Sequence, residues 1–109
     1  MELPKSVKIG GVTYKITTAK PMKNHEGHKL MGKASFHKQE IRINPKYRCN
    51  LPRTLMHEIV HTIFENAGQD EHQSDEGLIT CLQHGLVDFM RDNPDVVKFL
   101  QKEREWKSK

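Results

Sequence analysis

The sequence predicts an α+β fold, a small antiparallel sheet of about four strands followed by three helices. Two observations support this prediction. Up to about residue 44, apolar and polar residues alternate, which is typical of strands with one buried face. From residue 51 onward, apolar residues recur at helical spacing instead. Because strands and helices are segregated along the 109 residues, we expect one α+β domain spanning residues 1–109.

Two hairpins are predicted among the strands, which occupy residues 5–44. Residues 5–18 form two alternating strands around Gly10–Gly11, a pair suited to a two-residue turn. Residues 30–36 and 39–43 form the second pair. Asn44 and the proline after it end the last strand, since proline cannot donate to a ladder.

The first predicted helix covers residues 51–67. Asn50 is suited to the N-cap, Pro52 to the first turn, and Gly68 to the position just after the helix. Its apolar residues form two rows, which predicts that the helix is largely buried. These residues are Leu55, Ile59, Ile63 and Ala67 in one row and Met56, Val60 and Phe64 in the other.

Two further helices are predicted, over residues 75–91 and 94–107. Residues 69–73 are polar and predict a connection, and Ser74 is a suitable cap for the helix that follows. Pro94 fits the first turn of the last helix. The residues of that helix expected to face inward are Val96, Val97, Leu100 and Trp106.

The first helix contains the motif H-E-x-x-H, formed by His57, Glu58 and His61. One helical turn separates the two histidines, so both rings point the same way and can bind one Zn²⁺ ion. Glu58 stands beside them, where it can accept a proton from a water molecule. The motif is typical of zinc-dependent peptidases. The alternative is a pair of hydrogen-bonded core histidines without a metal.

A catalytic zinc site needs a third protein ligand and an open position for water. Periodicity places Asp75 on the apolar side of its helix and Glu76 about 100° around, so spacing alone leans towards Asp75. Both acids also complement the dipole of a helix N-terminus, which needs no metal. The residues considered as third ligand are Asp70, Glu71, His72, Asp75, Glu76 and His84.

The motif helix and the segment from Asp75 to Leu82 together resemble the small ImmA/IrrE-type and phage-encoded zinc metallopeptidases. The resemblance implies a minimal zincin-like fold of gluzincin type, with Glu76 as the third zinc ligand. This chain departs from the family pattern at Ile79 and Thr80, where the family prefers a small residue and Asn. The implied activity is a zinc endopeptidase of narrow specificity, acting on a regulatory protein of a phage or mobile element.

A second resemblance is to small SprT-like proteases, which complete the zinc site with a later histidine, commonly followed by Gly. His84 and Gly85 are similar to that feature. The simpler interpretation is that His84 is a partly exposed helix histidine, and His72 is a histidine of a polar loop.

In the mechanism that these residues predict, Glu58 acts as general base towards water and passes the proton to the leaving amine. We expect the strand at residues 39–43 to be an edge strand that receives extended substrate, or else an ordinary edge strand with charged side chains. The sequence does not select the oxyanion donor among Tyr47, Arg48 and the histidines at positions 25, 28, 37 and 72.

Composition limits the other function classes. The net charge is +4, but basic residues are spread along the chain and mixed with acids, so we expect a protein or peptide partner and no nucleic acid. There is no apolar run of membrane-spanning length and no secretory signal, so we expect a cytoplasmic protein whose two cysteines are free thiols. The alternative function is a non-catalytic zinc-binding domain that binds a protein or DNA partner.

Overall fold

The computed structural model describes residues 3–18, 32–44 and 50–106, and the predicted α+β fold is confirmed. The strands are β1 (Ser6–Ile9), β2 (Val12–Thr18), β3 (Gly32–Ser35) and β4 (Glu40–Ile43). The helices are α1 (Leu51–Asn66), α2 (Asp70–Gln73), α3 (Glu76–Asp92) and α4 (Pro94–Gln101), followed by a 3₁₀ turn at Glu103–Glu105.

The four strands form one mixed sheet in the order β1-β2-β4-β3. Both predicted hairpins are present as antiparallel pairs, β1 with β2 and β3 with β4. The prediction of a wholly antiparallel sheet is wrong, because β2 and β4 pair in parallel, from Lys15 opposite Glu40 to Thr18 opposite Ile43. Alternation of apolar and polar residues is the same in both kinds of pair, so it does not indicate their direction.

The first hairpin turns at Gly10 and Gly11, which have φ angles of 58° and 82°. Two consecutive positive φ values are those of a type I′ turn, which matches the twist of the flanking strands. The opposite hairpin has its left-handed residue at Gln39, with a φ of 52°.

One face of the sheet carries the core. The alternation in β2 and β4 directs their isoleucines and Tyr14 to this face, where α1 covers them through its half-buried Leu51, Leu55 and Ile59. The result is two layers, a sheet and a helix. The buried residues of the core cluster are Ile9, Tyr14, Ile16, Ile41 and Ile43.

Helix α1 begins and ends where the sequence predicts, within one residue. The side chain of Asn50 accepts a hydrogen bond from the backbone N–H of Arg53, at 3.3 Å. At the other end Gly68 has a φ of 71°. The N–H of Gly68 donates to the carbonyl of Glu65, and the next N–H, of Gln69, donates to the carbonyl of Phe64. This pair of bonds is the Schellman motif, which ends a helix at glycine.

The prediction that α1 is largely buried through its apolar rows is wrong in part. Ile63, from one of these rows, is 45% exposed. Much of the buried surface of the helix is polar instead. The hydroxyls of Thr54 and Thr62 are satisfied within the helix, by the carbonyls of Asn50 and Glu58. The buried residues of α1 are Thr54, Glu58, Val60, His61 and Thr62.

The segment between α1 and α3 differs from the prediction in two ways. The expected polar connection contains a one-turn helix, α2. Ser74 does not cap α3, because its hydroxyl donates back to the carbonyls of Asp70 and Glu71, both at 3.1 Å. The cap is Asp75, whose side chain accepts from the N–H of Leu78 at 3.1 Å. One carboxylate oxygen of Asp75 thereby caps the N-terminus of α3.

The last helix is shorter than predicted, ending at Gln101, and most of the residues expected to face inward do not. Val97 is half-buried, but Val96, Leu100 and Trp106 are exposed, Trp106 by 70% of its surface. Amphipathic spacing shows which side of a helix is apolar but does not show that the chain covers that side. Among the described residues no helix is both long enough and apolar enough to cross a membrane.

Candidate metal centre

The site lies where α1 and α3 pack side by side in opposite directions. Position 61 of α1 lies near the start of α3, position 57 near its middle, and position 53 near its end. The contacts at these three levels are polar. Beside these contacts, Ile79 is the fully buried apolar residue of α3. The three contacts show that the two helices present polar side chains to one another at matching positions.

Three side chains converge near the start of α3, where His57 and His61 both reach Glu76. His57 Nε2 lies 3.0 Å from Glu76 Oε2, and His61 Nε2 lies 2.9 Å from Glu76 Oε1. One ligand atom from each of the three residues fits within 4.8 Å of the others, so the group could hold a metal ion. The two imidazole rings meet edge to face, with centroids 4.9 Å apart. The Glu76 side chain is 66% exposed, which leaves the group open to solvent on that side.

The other ring nitrogens face oxygen acceptors. His57 Nδ1 lies 2.7 Å from Gln83 Oε1, and His61 Nδ1 lies 2.6 Å from the backbone carbonyl of Gln73 and 3.1 Å from its side-chain oxygen. A backbone carbonyl accepts only, so His61 Nδ1 donates to Gln73, and the amide oxygen of Gln83 favours a proton on His57 Nδ1 in the same way. Each neutral ring then has its lone pair on Nε2, directed at the carboxylate.

The short distances between the two Nε2 atoms and the Glu76 oxygens indicate that the group is suited to a cation. A lone pair on nitrogen and a carboxylate oxygen repel at 3 Å unless a proton or a metal cation lies between them. Two such pairs share the single carboxylate of Glu76. The donor set of two imidazole nitrogens and one carboxylate fits Zn²⁺ with an open fourth position, and also other divalent transition metals.

Glu58 lies beside this group but not among its ligands. It is 7% exposed and hydrogen-bonds the backbone of Ala34 in β3. Burial raises the pKa of Glu58 above its ordinary value, and the nearby charge of Glu76 acts in the same direction, while positive charge on His57 and His61 in their protonated forms opposes the shift. A carboxylate with a raised pKa is better suited to hold a proton near neutral pH.

The other candidates for the third ligand have different contacts in the structure. The Asp75 carboxylate accepts the capping hydrogen bond of α3. His84 Nδ1 lies 2.8 Å from a guanidinium nitrogen of Arg53, two turns along α3 from Glu76. His72 packs its ring on Phe64, with centroids 5.6 Å apart. Among the described residues, the three-ligand group contains none of these, nor Asp70 or Glu71.

Of the candidate oxyanion donors, His37 is exposed on the turn between β3 and β4, and His72 is exposed on α2. The others, Tyr47, Arg48, His25 and His28, lie outside the described residues. Of the two cysteines, Cys81 is exposed with a free thiol, and the other lies outside the described residues.

The prediction that residues 39–43 form an edge strand is wrong. Strand β4 is internal, with β2 on one side and β3 on the other. Its charged residues Glu40 and Arg42 pair with each other at 2.7 Å. The outer strand on this side of the sheet, among the residues that the structure describes, is β3. It runs beside α1, and a Cβ atom added to Gly32 would lie 3.2 Å from Glu58 Cγ.

Gln73 and Gln83, the residues behind the two histidines, were not predicted as part of the site. A signal for Gln83 exists, because it lies seven residues after Glu76, which places both on one face of α3 two turns apart. Gln73 acts mainly through its backbone carbonyl, for which side-chain identity gives no signal.

No protein-family model, curated protein or solved structure matches this chain. The chemistry of the His57, His61 and Glu76 group is thus the basis for a functional conclusion.

Proposed function

We propose that the protein is a cytoplasmic zinc-dependent endopeptidase, with Zn²⁺ held by His57, His61 and Glu76 and with Glu58 as general base. The observation that carries this proposal is the convergence of the two Nε2 atoms on the Glu76 carboxylate, with Glu58 buried next to them and outside the ligand group. Zinc is chosen among the metals that fit because H-E-x-x-H pairs two zinc-binding histidines with a glutamate suited to proton transfer.

Zn²⁺ bound there would polarise the scissile carbonyl and lower the pKa of a water molecule. Glu58 accepts the proton of the attacking water and then delivers it to the leaving amine. Its buried position beside the ligand group supports this role, because the carboxyl group has to hold the proton at the site between the two steps. The hydrogen bond to Ala34 keeps the side chain from turning away.

The substrate in this proposal is an extended peptide paired along the outer edge of β3. Strand addition uses backbone hydrogen bonds, which any peptide can supply. The position of β3 supports this docking site, since Glu58 hydrogen-bonds the backbone of Ala34 and a Cβ atom added to Gly32 would lie 3.2 Å from Glu58 Cγ. As in the ImmA/IrrE-type peptidases that the sequence resembles, the proposed substrate is a regulatory protein of a phage or mobile element.

The second candidate is a non-catalytic metal-binding domain that binds a protein or DNA partner. The observation in its favour is that Glu58 joins α1 to β3 through Ala34, which is a structural role that needs no reaction. The two candidates differ in what Glu58 is needed for.

The test compares wild type with Glu58→Gln, each loaded with zinc. Metal content is measured after removal of free zinc, and cleavage is measured by mass spectrometry on a peptide library derived from a bacterial proteome. We expect about one zinc per chain in both proteins and a loss of cleavage of about 10²–10⁴-fold in the variant, the usual contribution of a general base. A wild type without zinc, or equal cleavage by both proteins, would overturn the proposal. Zinc in both proteins with no library peptide cleaved by wild type would favour the non-catalytic domain.

A further inference from the structure

The ring of His57 is held between two residues of α3. Its Nε2 atom faces Glu76 and its Nδ1 atom faces Gln83, at 3.0 and 2.7 Å. Because Glu76 and Gln83 lie on one face of α3, two turns apart, the helix presents the metal-binding carboxylate and the amide to the same ring.

The amide oxygen of Gln83 influences which ring nitrogen of His57 is free to bind a metal. It lies 2.7 Å from Nδ1 and favours the tautomer of the neutral ring that has its proton on Nδ1 and its lone pair on Nε2. It also limits rotation of the ring about its Cβ–Cγ bond. A histidine held in this way meets a metal with the correct nitrogen and without a change of tautomer.

We propose that Gln83 is a positioning residue of the metal centre, which orients His57 and fixes its tautomer without itself binding the metal. This inference rests on the proposed function, because it requires a metal at His57, His61 and Glu76. Gln83 is neutral, whereas a carboxylate at the same position would add negative charge behind the ligand. The amide therefore orients the ring while leaving more of the positive charge of the metal available to polarise a substrate.

His61 provides a matched comparison within the same site. Its Nδ1 atom has the backbone carbonyl of Gln73 at 2.6 Å and the Gln73 side chain at 3.1 Å. Replacement of the Gln73 side chain removes the longer contact and leaves the shorter one. Replacement of the Gln83 side chain removes the oxygen that faces His57 Nδ1. The change from Gln to Leu is chemically the same at both positions, so its effect should differ.

The experiment measures zinc affinity by competition with a chromophoric chelator at constant pH, for wild type, Gln83→Leu, Gln83→Glu and Gln73→Leu. We expect Gln83→Leu to weaken zinc binding by about 10–100-fold, the usual cost of losing a residue that supports a histidine ligand. Gln83→Glu should bind zinc at least as tightly as wild type, because a carboxylate keeps the acceptor and adds charge. Gln73→Leu should stay close to wild type.

A second measurement gives the tautomer directly and does not depend on activity. Long-range ¹H–¹⁵N spectra of the imidazole rings, recorded with zinc, should show His57 protonated at Nδ1 and metal-bound at Nε2 in wild type. In Gln83→Leu the Nδ1 proton should exchange rapidly with solvent. Binding of zinc through Nδ1 in wild type would overturn the inference, even if the Leu variant failed to fold.

The outcomes separate this inference from the proposed function. If wild type binds zinc and Gln83→Leu binds it equally well, Gln83 is not a positioning residue and the zinc site stands. If Gln83→Leu and Gln73→Leu lose affinity equally, the effect is a general loss of packing and the inference is wrong. If wild type binds no zinc, both the proposed function and the inference are wrong.

Discussion

His57 and Glu76 are 19 positions apart in the sequence, yet Nε2 of one lies 3.0 Å from Oε2 of the other. Glu76 is the first residue of α3, directly after the capping residue Asp75. Because the Asp75 carboxylate turns back to the N–H of Leu78, the next side chain is the one directed at α1. Helix capping thus selects which of two adjacent acids faces the histidines.

The first prediction separates these two acids. Glu76→Gln removes the charged ligand and should weaken zinc binding by at least about 100-fold, the upper end of what loss of a merely supporting residue costs. Asp75→Asn should leave zinc binding unchanged, because asparagine is an equally good N-cap. Isothermal titration with zinc measures both. Equal loss in the two variants would mean that the start of α3, and not the Glu76 carboxylate, is what zinc binding requires.

The second prediction concerns the stability that zinc adds. A ligand that binds the folded state alone stabilises it by about 2.7 kcal/mol at a free concentration 100 times its Kd. Wild type should therefore melt at a higher temperature with zinc than with a chelator, and Glu76→Gln should show a much smaller difference between the two conditions. Differential scanning calorimetry makes the comparison. An unchanged melting temperature of wild type at saturating zinc would show that zinc does not bind preferentially to the folded state.

The third prediction concerns the space beside Glu58. A Cβ atom at Gly32 would lie 3.1 Å from Thr54 Cγ2 and 3.2 Å from Glu58 Cγ, so Gly32→Ala should displace Glu58 by a few tenths of an ångström. We expect peptide cleavage to fall by about tenfold, since small misplacements of a catalytic group are costly. Zinc binding should be unchanged, because none of the three ligands is touched.

Gly85 provides the matched control for this substitution. A Cβ atom there meets nothing within 4 Å. Gly85→Ala should leave cleavage unchanged and stabilise α3 by about 0.5–1 kcal/mol, because glycine is less favourable than alanine inside a helix. If both alanine variants lose cleavage, contact with Glu58 is not the cause.

The fourth prediction is a pH dependence. The guanidinium of Arg53 donates to Asp88 at 2.5 Å and holds the pKa of that carboxyl below its usual value of 3.8. A lowered pKa in the folded state contributes stability above pH 3.8, which is lost as pH falls through the folded-state pKa. Asp88→Asn should therefore lower the melting temperature at pH 7, and its difference from wild type should shrink as the pH falls below 3.8.

The Arg53 partner allows a check on the cause. In a double-mutant cycle, Arg53→Gln and Asp88→Asn should show a coupling energy at pH 7 that decreases as the pH falls below 3.8. A coupling that does not change with pH would show that the contact does not depend on the charge of Asp88.

The fifth prediction concerns the attachment of α1 to the first hairpin. The hydroxyl of the buried Tyr14 donates to Asn66 Oδ1, and Asn66 Nδ2 donates to the carbonyl of Ile9, both at 2.9 Å. Asn66→Ala should destabilise the fold by about 1–3 kcal/mol in urea unfolding, because it leaves a buried hydroxyl unpaired. Addition of Tyr14→Phe to this variant should recover part of the loss. No recovery would place the effect elsewhere in α1.

Features read from neighbouring residues were predicted well. Gly10–Gly11 predicts its turn, and Asn50 and Gly68 predict both ends of α1, because each acts within a few residues on its own backbone. The pairing of β2 with β4 could not be predicted in this way, because alternation is the same in parallel and antiparallel ladders. The exposure of Trp106 could not be predicted either, because spacing does not show what covers an apolar side.

The sequence by itself determined the α+β order, the placement of His57, Glu58 and His61 on one helix, and the candidates for a third ligand. Helical spacing is a local property, and it directs two rings to the same side without help from the rest of the chain. The tertiary structure decided that Glu76 faces both rings and that Gln83 supports His57 from behind. These contacts depend on how α3 packs against α1. That packing involves residues far apart in the sequence, so local spacing does not determine it.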